Sequence, residues 1–220
     1  MTAQVSHELR SPLARIQIAV EILKDRLEKT EDAESATHLE TIRLDVEELD
    51  RIIGRILELS KLDLQNDSPY TDVFSPVKTL QEALDRYEVV IRKKRISISN
   101  QLTNDAKIIG NREALGTVFS NLLDNAVRYT PTQGRLRLAS RIEDERLVIG
   151  IENSGKTLGA SDLEKIFDPF VRIDTNGESG AGLGLSIARK IVEKHNGLLT
   201  AANTEAGILL EVSLPTARIE

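Results

Sequence analysis

Ser6-His7-Glu8-Leu9-Arg10-Ser11-Pro12-Leu13 opens a run in which apolar residues recur at Leu9, Leu13, Ile16, Val20, Leu23 and Leu27, alternating four and three apart. That spacing is a heptad seam, the pattern of a helix lying along other helices. It predicts a first helix from about Thr2 to Lys29. Extending the seam back one step places Ser6 on it, so His7 stands about 100° of rotation off the seam, within reach of solvent. Pro12 removes the hydrogen bond to the Glu8 carbonyl and bends the rod beside His7. A lone histidine on a bundle is ordinarily inert, but a kink beside a titratable ring points to use. Arg10 and Ser11, three and four residues on, share the face of His7, whereas adjacent Glu8 must bend toward the ring to reach it.

Working outward, the polar stretch from Thr30 to Ser35 turns the chain, and a second seam follows at Leu39, Ile42, Val46, Leu49, Ile53 and Ile56. Two such helices joined by a short loop form an antiparallel hairpin. Ile22, Ile52 and Leu59 add apolar surface beside the seams, more than one hairpin covers, so two copies are expected to pair into a four-helix bundle, a homodimer.

Gln65-Asn66-Asp67-Ser68-Pro69 is rich in turn formers and divides the chain into residues 1–66 and 70–220. Beyond it the pattern is α+β. Ser75-Pro76 is a helix start, with the helix expected to run to about Lys94. Strands are expected around Ile96–Ser99, Ala106–Ile109, Leu136–Ala139, Leu147–Ile151, Gly197–Ala202 and Ile208–Leu214, all in one mixed sheet. Helices are expected from Asn111 to Arg128, from Ser161 to Ile166 with a Ser161/Glu164 capping box, and from Leu183 to His195.

The 220 residues include no cysteine, which excludes disulfides and thiolate zinc sites and fits a reducing compartment. A net charge of −6 argues against a nucleic-acid partner, and Arg92-Lys93-Lys94-Arg95 is expected to be a solvated helix end. No apolar stretch approaches the roughly 20 residues that span a bilayer, so no membrane contact is expected of this chain. With His7 so near its first residue, it reads as a fragment of a longer protein.

Three further stretches carry chemistry. Asn121 and Asn125, four apart, project from one helix face, where amides can hold Mg²⁺ or phosphate oxygens, with Arg128 close by. Gly180-Ala181-Gly182-Leu183-Gly184-Leu185 opens a helix, where glycines let backbone amides approach an anion. The polar residues Asp174–Ser179 before it read as a lid. Gly150-Ile151-Glu152-Asn153-Ser154-Gly155-Lys156-Thr157 fits the phosphate-loop pattern letter for letter. A true phosphate loop, however, starts its helix at the Lys-Thr pair, and here the next helix signal waits until Ser161.

Taken together, these motifs make the chain similar to the cytoplasmic core of a bacterial two-component sensor histidine kinase. Ser6–Leu13 resembles the phospho-acceptor box and Asn121–Tyr129 the asparagine box; Phe167-Asp168-Pro169-Phe170 resembles the phenylalanine box and Gly180–Leu185 the second glycine box. The resemblance implies a dimeric helical hairpin followed by an α+β sandwich that binds ATP. It implies that His7 attacks the γ-phosphate of ATP, with Glu8 as general base and Ser11 supporting dephosphorylation of the regulator. Asn125, with Asn121 near, would hold Mg²⁺, and Arg128 and Tyr129 would contact phosphate and nucleotide. Phe167, Gly180, Gly182, Leu183 and Gly184 would belong to the lid side of the site. The partner implied is the receiver domain of a response regulator, which takes the phosphoryl group on an aspartate. The fragment would be cytoplasmic, and its parent anchored in the bacterial inner membrane.

The first glycine box departs from the family's Asp-x-Gly-x-Gly: this chain has Asn153, Gly155 and, in place of the second glycine, Thr157. The family aspartate accepts a hydrogen bond from the adenine amino group. An amide oxygen accepts more weakly, a loss of about 1 kcal/mol, or roughly fivefold in affinity. That departure favours the alternative of a weakly catalytic or non-catalytic dimeric scaffold that docks a regulator. A chaperone- or topoisomerase-like ATPase gives no reason for His7 beside a kink.

Overall fold

A computed structural model describes residues 14–16, 18–23, 38, 41–47, 49, 52–54, 56, 72–103, 106–173 and 181–217. His7, Glu8, Ser11, Gly180, the expected turn at 30–35, the linker at 65–69 and the lid residues 174–179 lie outside them. Residues 14–16 and 18–23 are helical (α1), as are 38, 41–47, 49, 52–54 and 56 (α2). Arg15 ties the two together: its Nε lies 3.1 and 3.2 Å from the two carboxylate oxygens of Asp45, and its Nη2 lies 3.0 Å from Oδ1. Asp45 is buried there, and a bidentate pair of this kind fixes register as well as adding energy.

The heptad positions divide between two faces. Leu23 is buried, as are Ala19 and Ile52, which lie off the expected seam, and Ile16, Ile42, Leu49 and Ile56 are half-buried. Val20, Val46 and Ile53, on the expected seam, remain exposed.

The rest of the described chain is a layer of helices on one face of a sheet. Its elements are β1 (Val73–Phe74), α3 (Pro76–Asp85), α4 (Glu88–Lys94), β2 (Ser97–Gln101), β3 (Ile108–Ile109), α5 (Arg112–Tyr129), β4 (Arg135–Glu143), β5 (Arg146–Ser154), α6 (Asp162–Lys165), α7 (Gly184–Lys194), β6 (Leu198–Asn203) and β7 (Gly207–Pro215). The five-stranded sheet has the order β2-β4-β5-β7-β6, with β2 parallel to β4 and the other pairs antiparallel. Alternate residues Leu147, Ile149 and Ile151 of β5, flanked in register by Leu138, Leu210, Val212 and Leu214, face the helices. α5 covers β5 and touches both α3 and α7. Its apolar stripe of Leu115, Val118, Phe119, Leu122 and Leu123 is wholly buried. Ile52 of α2 joins the same core cluster, and Ile56 packs against it.

Three expectations are corrected. The helix expected to run from Pro76 to about Lys94 is two, because Arg86 and Tyr87 tighten into turns whose N–H groups donate to Ala83 and Leu84. The break lets the Tyr87 hydroxyl donate to the Ser120 carbonyl of α5 at 2.9 Å. The expected single sheet is two: Ile108–Ile109 pairs antiparallel with Val73–Phe74, apart from the five strands. The capping box at Ser161 does not form. Ser161 has helical backbone angles and makes no capping hydrogen bond, its hydroxyl donating instead to Asp162 at 3.3 Å. By contrast, Asn111 caps α5 as expected, its Oδ1 accepting from the Ala114 N–H at 2.9 Å.

Candidate nucleotide-binding site

α5 positions the centre of the site. Leu122, Leu123 and Ala126 anchor it in the core, which turns Asn121, Asp124, Asn125 and Arg128 into a cavity of about 710 Å³. Tyr129 to Thr132 extend that wall. Gly155, Lys156 and Leu158, following β5, line the cavity, as do Val171, Arg172 and Ile173, and Ile208 and Leu210 from β7. Gly182 and Gly184 also line it, and Gly184 is the first residue of α7. The N-terminus of α7 therefore borders the cavity, where unpaired amides and the helix field favour an anion.

The cavity has a size typical of ligand sites, and its charge is selective. Among the described residues, four cations line it, Lys94, Arg128, Lys156 and Arg172, against one carboxylate, Asp124. Arg128 donates to Asp124 at 2.9 Å across one helical turn. A net positive cleft of this kind suits a polyphosphate.

The phenylalanine and glycine stretches lock to each other. The Phe170 N–H donates to the Gly182 carbonyl at 3.0 Å, with Phe170 at φ 66 and Gly182 at φ 65. A Cβ at Gly182 would stand 2.8 Å from the Val171 carbonyl oxygen and 2.9 Å from the Phe170 carbonyl carbon, so only glycine fits. Phe167 is buried, with the Arg189 guanidinium of α7 5.6 Å from its ring centroid. Leu183 is wholly buried in the core, and its carbonyl accepts from Ile187 N and Ser186 Oγ at the start of α7.

Asn153 lies on the helix-facing side of β5, between Leu136 and cavity-lining Ile208 in register. It is 3% exposed, and its Nδ2 donates to the Ser154 carbonyl at 3.3 Å. The structure thus brings Asn121, Asn125, Arg128, Tyr129, Gly155, Gly182 and Gly184 to one cavity, with Asn153 beside it and Phe167 and Leu183 in the supporting core. The phosphate-loop reading fails: Gly150 sits mid-strand and no helix begins before Asp162. Two lining cations went unread in the sequence. Arg172 follows the phenylalanine stretch by two residues, a signal that proximity to the lid glycines offered. Lys94 gave none, since its partners are 33 to 36 residues away.

A helical layer on a mixed sheet, with amides and cations facing glycines across a cavity, defines an α+β domain with a positively charged ligand site. Residues 110–218 match the family model for histidine kinase-, DNA gyrase B- and HSP90-like ATPases, and residues 1–65 the His Kinase A (phospho-acceptor) domain. The chain belongs to the sensor histidine kinases. It is 31% identical over 98% of its length to the adaptive-response sensory kinase SasA of Rippkaea orientalis, covering 57% of that protein. It is 30% identical to the solved catalytic domain of histidine kinase ThkA, with 66% of this chain and 94% of that one aligned at a TM-score of 0.60. A structure of ThkA in complex with response regulator protein TrrA matches 99% of this chain and 61% of that one at a TM-score of 0.81 and 26% identity. The chain spans 57% of the length of that SasA and 33% of that of the alginate biosynthesis sensor protein KinB of Pseudomonas aeruginosa, to which it is 28% identical over 88% of its own length. Among the described residues, no helix is long and apolar enough to cross a membrane.

Proposed function

We propose that this chain is the catalytic core of a sensor histidine kinase, which phosphorylates His7 from ATP and passes the phosphoryl group to an aspartate of a response-regulator receiver domain. The observation that carries it is the positive cavity that gathers Asn121, Asn125 and the glycines at 182 and 184, in a chain whose first residues hold His7 beside Pro12. Residues 1–66 serve as the dimerising phosphotransfer hairpin and 70–220 as the ATP-binding domain, within a parent protein anchored in the bacterial inner membrane.

The donor set fits Mg²⁺. Among the described residues no cluster of three or more acidic, histidine or cysteine side chains forms a metal cage. Mg²⁺ ordinarily binds through one or two protein oxygens plus water and phosphate, and the amide oxygen of Asn125, with Asn121 near, offers that. When bound, the ion neutralises phosphate charge. The remaining work is positioning and electrostatics. Arg128, Tyr129 and Arg172 hold the nucleotide and its phosphates, Asn153 and Gly155 its base, and Phe167, Gly180, Gly182, Leu183 and Gly184 the lid. A neutral imidazole offers a ring nitrogen with a free lone pair as the nucleophile. That nitrogen bonds to the γ-phosphorus as the bond to the β-phosphate oxygen breaks and ADP leaves, while Glu8 takes the ring proton. Ser11 orients a water for hydrolysis of the regulator's phosphoaspartate.

Incubation of the full chain with γ-labelled ATP and Mg²⁺ tests this. The expected product is an acid-labile, alkali-stable label that is absent from His7→Ala and reduced at least about a hundredfold in Asn125→Ala. Nucleotide binding without any label would instead make the chain a docking scaffold.

A further inference from the structure

The cavity wall from Arg128 to Thr132 is the end of α5 running into the turn before β4. A helix leaves its last carbonyls without partners inside the helix. Here three carbonyl oxygens converge on one side chain: Lys94 Nζ donates to Val127 at 2.9 Å, to Arg128 at 2.8 Å and to Thr130 at 3.1 Å. An ammonium has three protons and no acceptor, so this tripod uses all of them. The cation also stands where the α5 dipole favours it. The main chain reinforces the grip, since Gln133 N donates to the Lys94 carbonyl at 2.8 Å and Ser97 N to the Gly134 carbonyl at 2.9 Å.

Lys94 lines the cavity, and a lysine in a nucleotide pocket invites assignment as a phosphate ligand. Its geometry points elsewhere. We propose that Lys94 is a positioning residue whose ammonium, committed to three carbonyls, sets the Arg128–Thr132 wall and touches no phosphate. The effect reaches across the cavity. A Cβ at Gly155 would stand 3.1 Å from the Tyr129 carbonyl oxygen and 3.8 Å from Pro131 Cδ, so slack in the clamped turn reaches the strand end beside Asn153. The proposal rests on the nucleotide-site assignment above.

Two measurements on the full chain test it. In lysine ¹⁵N side-chain NMR of the wild-type protein, one ammonium, missing from Lys94→Met, is expected to exchange slowly and to keep its shift when Mg·ATP is added. Exchange at the bulk rate, or a shift showing contact with phosphate, overturns the proposal. In parallel, adenosine and ATP binding are titrated in Lys94→Met and Lys94→Arg. The expectation is a loss of about fivefold for both ligands in both variants, appearing in KM for ATP more than in kcat. The planar guanidinium does not rescue, because its fork does not match a tripod. A loss confined to ATP would make Lys94 a phosphate ligand, and full rescue by arginine would make it a charge alone; either overturns the clamp. If the wild type binds neither ligand, the nucleotide assignment falls, and the exchange measurement still decides the clamp.

Discussion

Asn153 completes a β5 column whose other helix-facing members are Leu147, Ile149 and Ile151. At this scale the position of a group and its charge give opposite predictions for stability and binding. An aspartate here accepts more strongly from a nucleobase amino group but cannot donate to the Ser154 carbonyl, and it buries a carboxyl in a site only 3% exposed. Asn153→Asp is therefore expected to bind ATP about fivefold tighter while the empty protein melts at a lower temperature. Calorimetric titration and a thermal melt read the two effects, and unchanged ATP affinity would remove Asn153 from the base site. Residue-level chemistry was legible in the sequence where partners are local. The Asn111 cap and the shared face of Asn121 and Asn125 follow from spacing alone. Lys94 was unreadable because three carbonyls define it, and carbonyls carry no sequence signature. Within Arg92-Lys93-Lys94-Arg95, expected to be solvated, only the fold separates it from exposed Arg92 and Lys93.

Among the elements, α5 and α7 are joined by a buried ring. His195, just past the end of α7, is 4% exposed. Its Nε2 accepts from the Asn111 N–H at 2.9 Å, so its Nδ1 carries the proton and donates to the Ile191 carbonyl at 2.7 Å. Burial lowers its pKa below the ordinary 6.5, with the Ile191 carbonyl opposing more weakly. Because the folded ring resists protonation, the unfolded chain takes up the proton first as pH falls. This contribution to stability is thus complete above 6.5 and is lost as pH drops below it, until the folded ring itself titrates. Urea midpoints at pH 7.5 and 5.0 are expected to fall less for His195→Gln than for the wild type, and the variant to lose about 1–3 kcal/mol at pH 7.5 as the Asn111 N–H loses its acceptor. Equal pH slopes would show that the ring does not titrate with folding. Secondary-structure type was legible at this scale wherever periodicity ran long, as in α5 and β5. The α3–α4 break was not, since no glycine or proline marks it and a tertiary bond from Tyr87 to Ser120 favours it.

For the whole molecule, the heptads identify two helices but not which face each turns inward. α1 buries Ala19 and Leu23, α2 turns Ile52 into the core beneath the sheet, and Arg15 with Asp45 fixes the register of the two helices. This leaves Val20 at 38%, Val46 at 42% and Ile53 at 45% exposed, joined by Ile18 and Leu44. Val46 and Ile53 are seven residues apart, two turns along one face of α2. An aligned apolar stripe of that kind marks an association surface, and a second copy presents the same stripe, so a twofold bundle satisfies both at once. The Val46→Glu/Ile53→Glu pair places charge at the centre of that surface without touching the buried residues inside the hairpin. It is expected to convert a dimer into a monomer in sedimentation at micromolar concentration and to abolish the dependence of melting temperature on protein concentration. A wild type that sediments as a monomer under those conditions, or a double variant that stays dimeric, would show that the exposed stripe serves another contact.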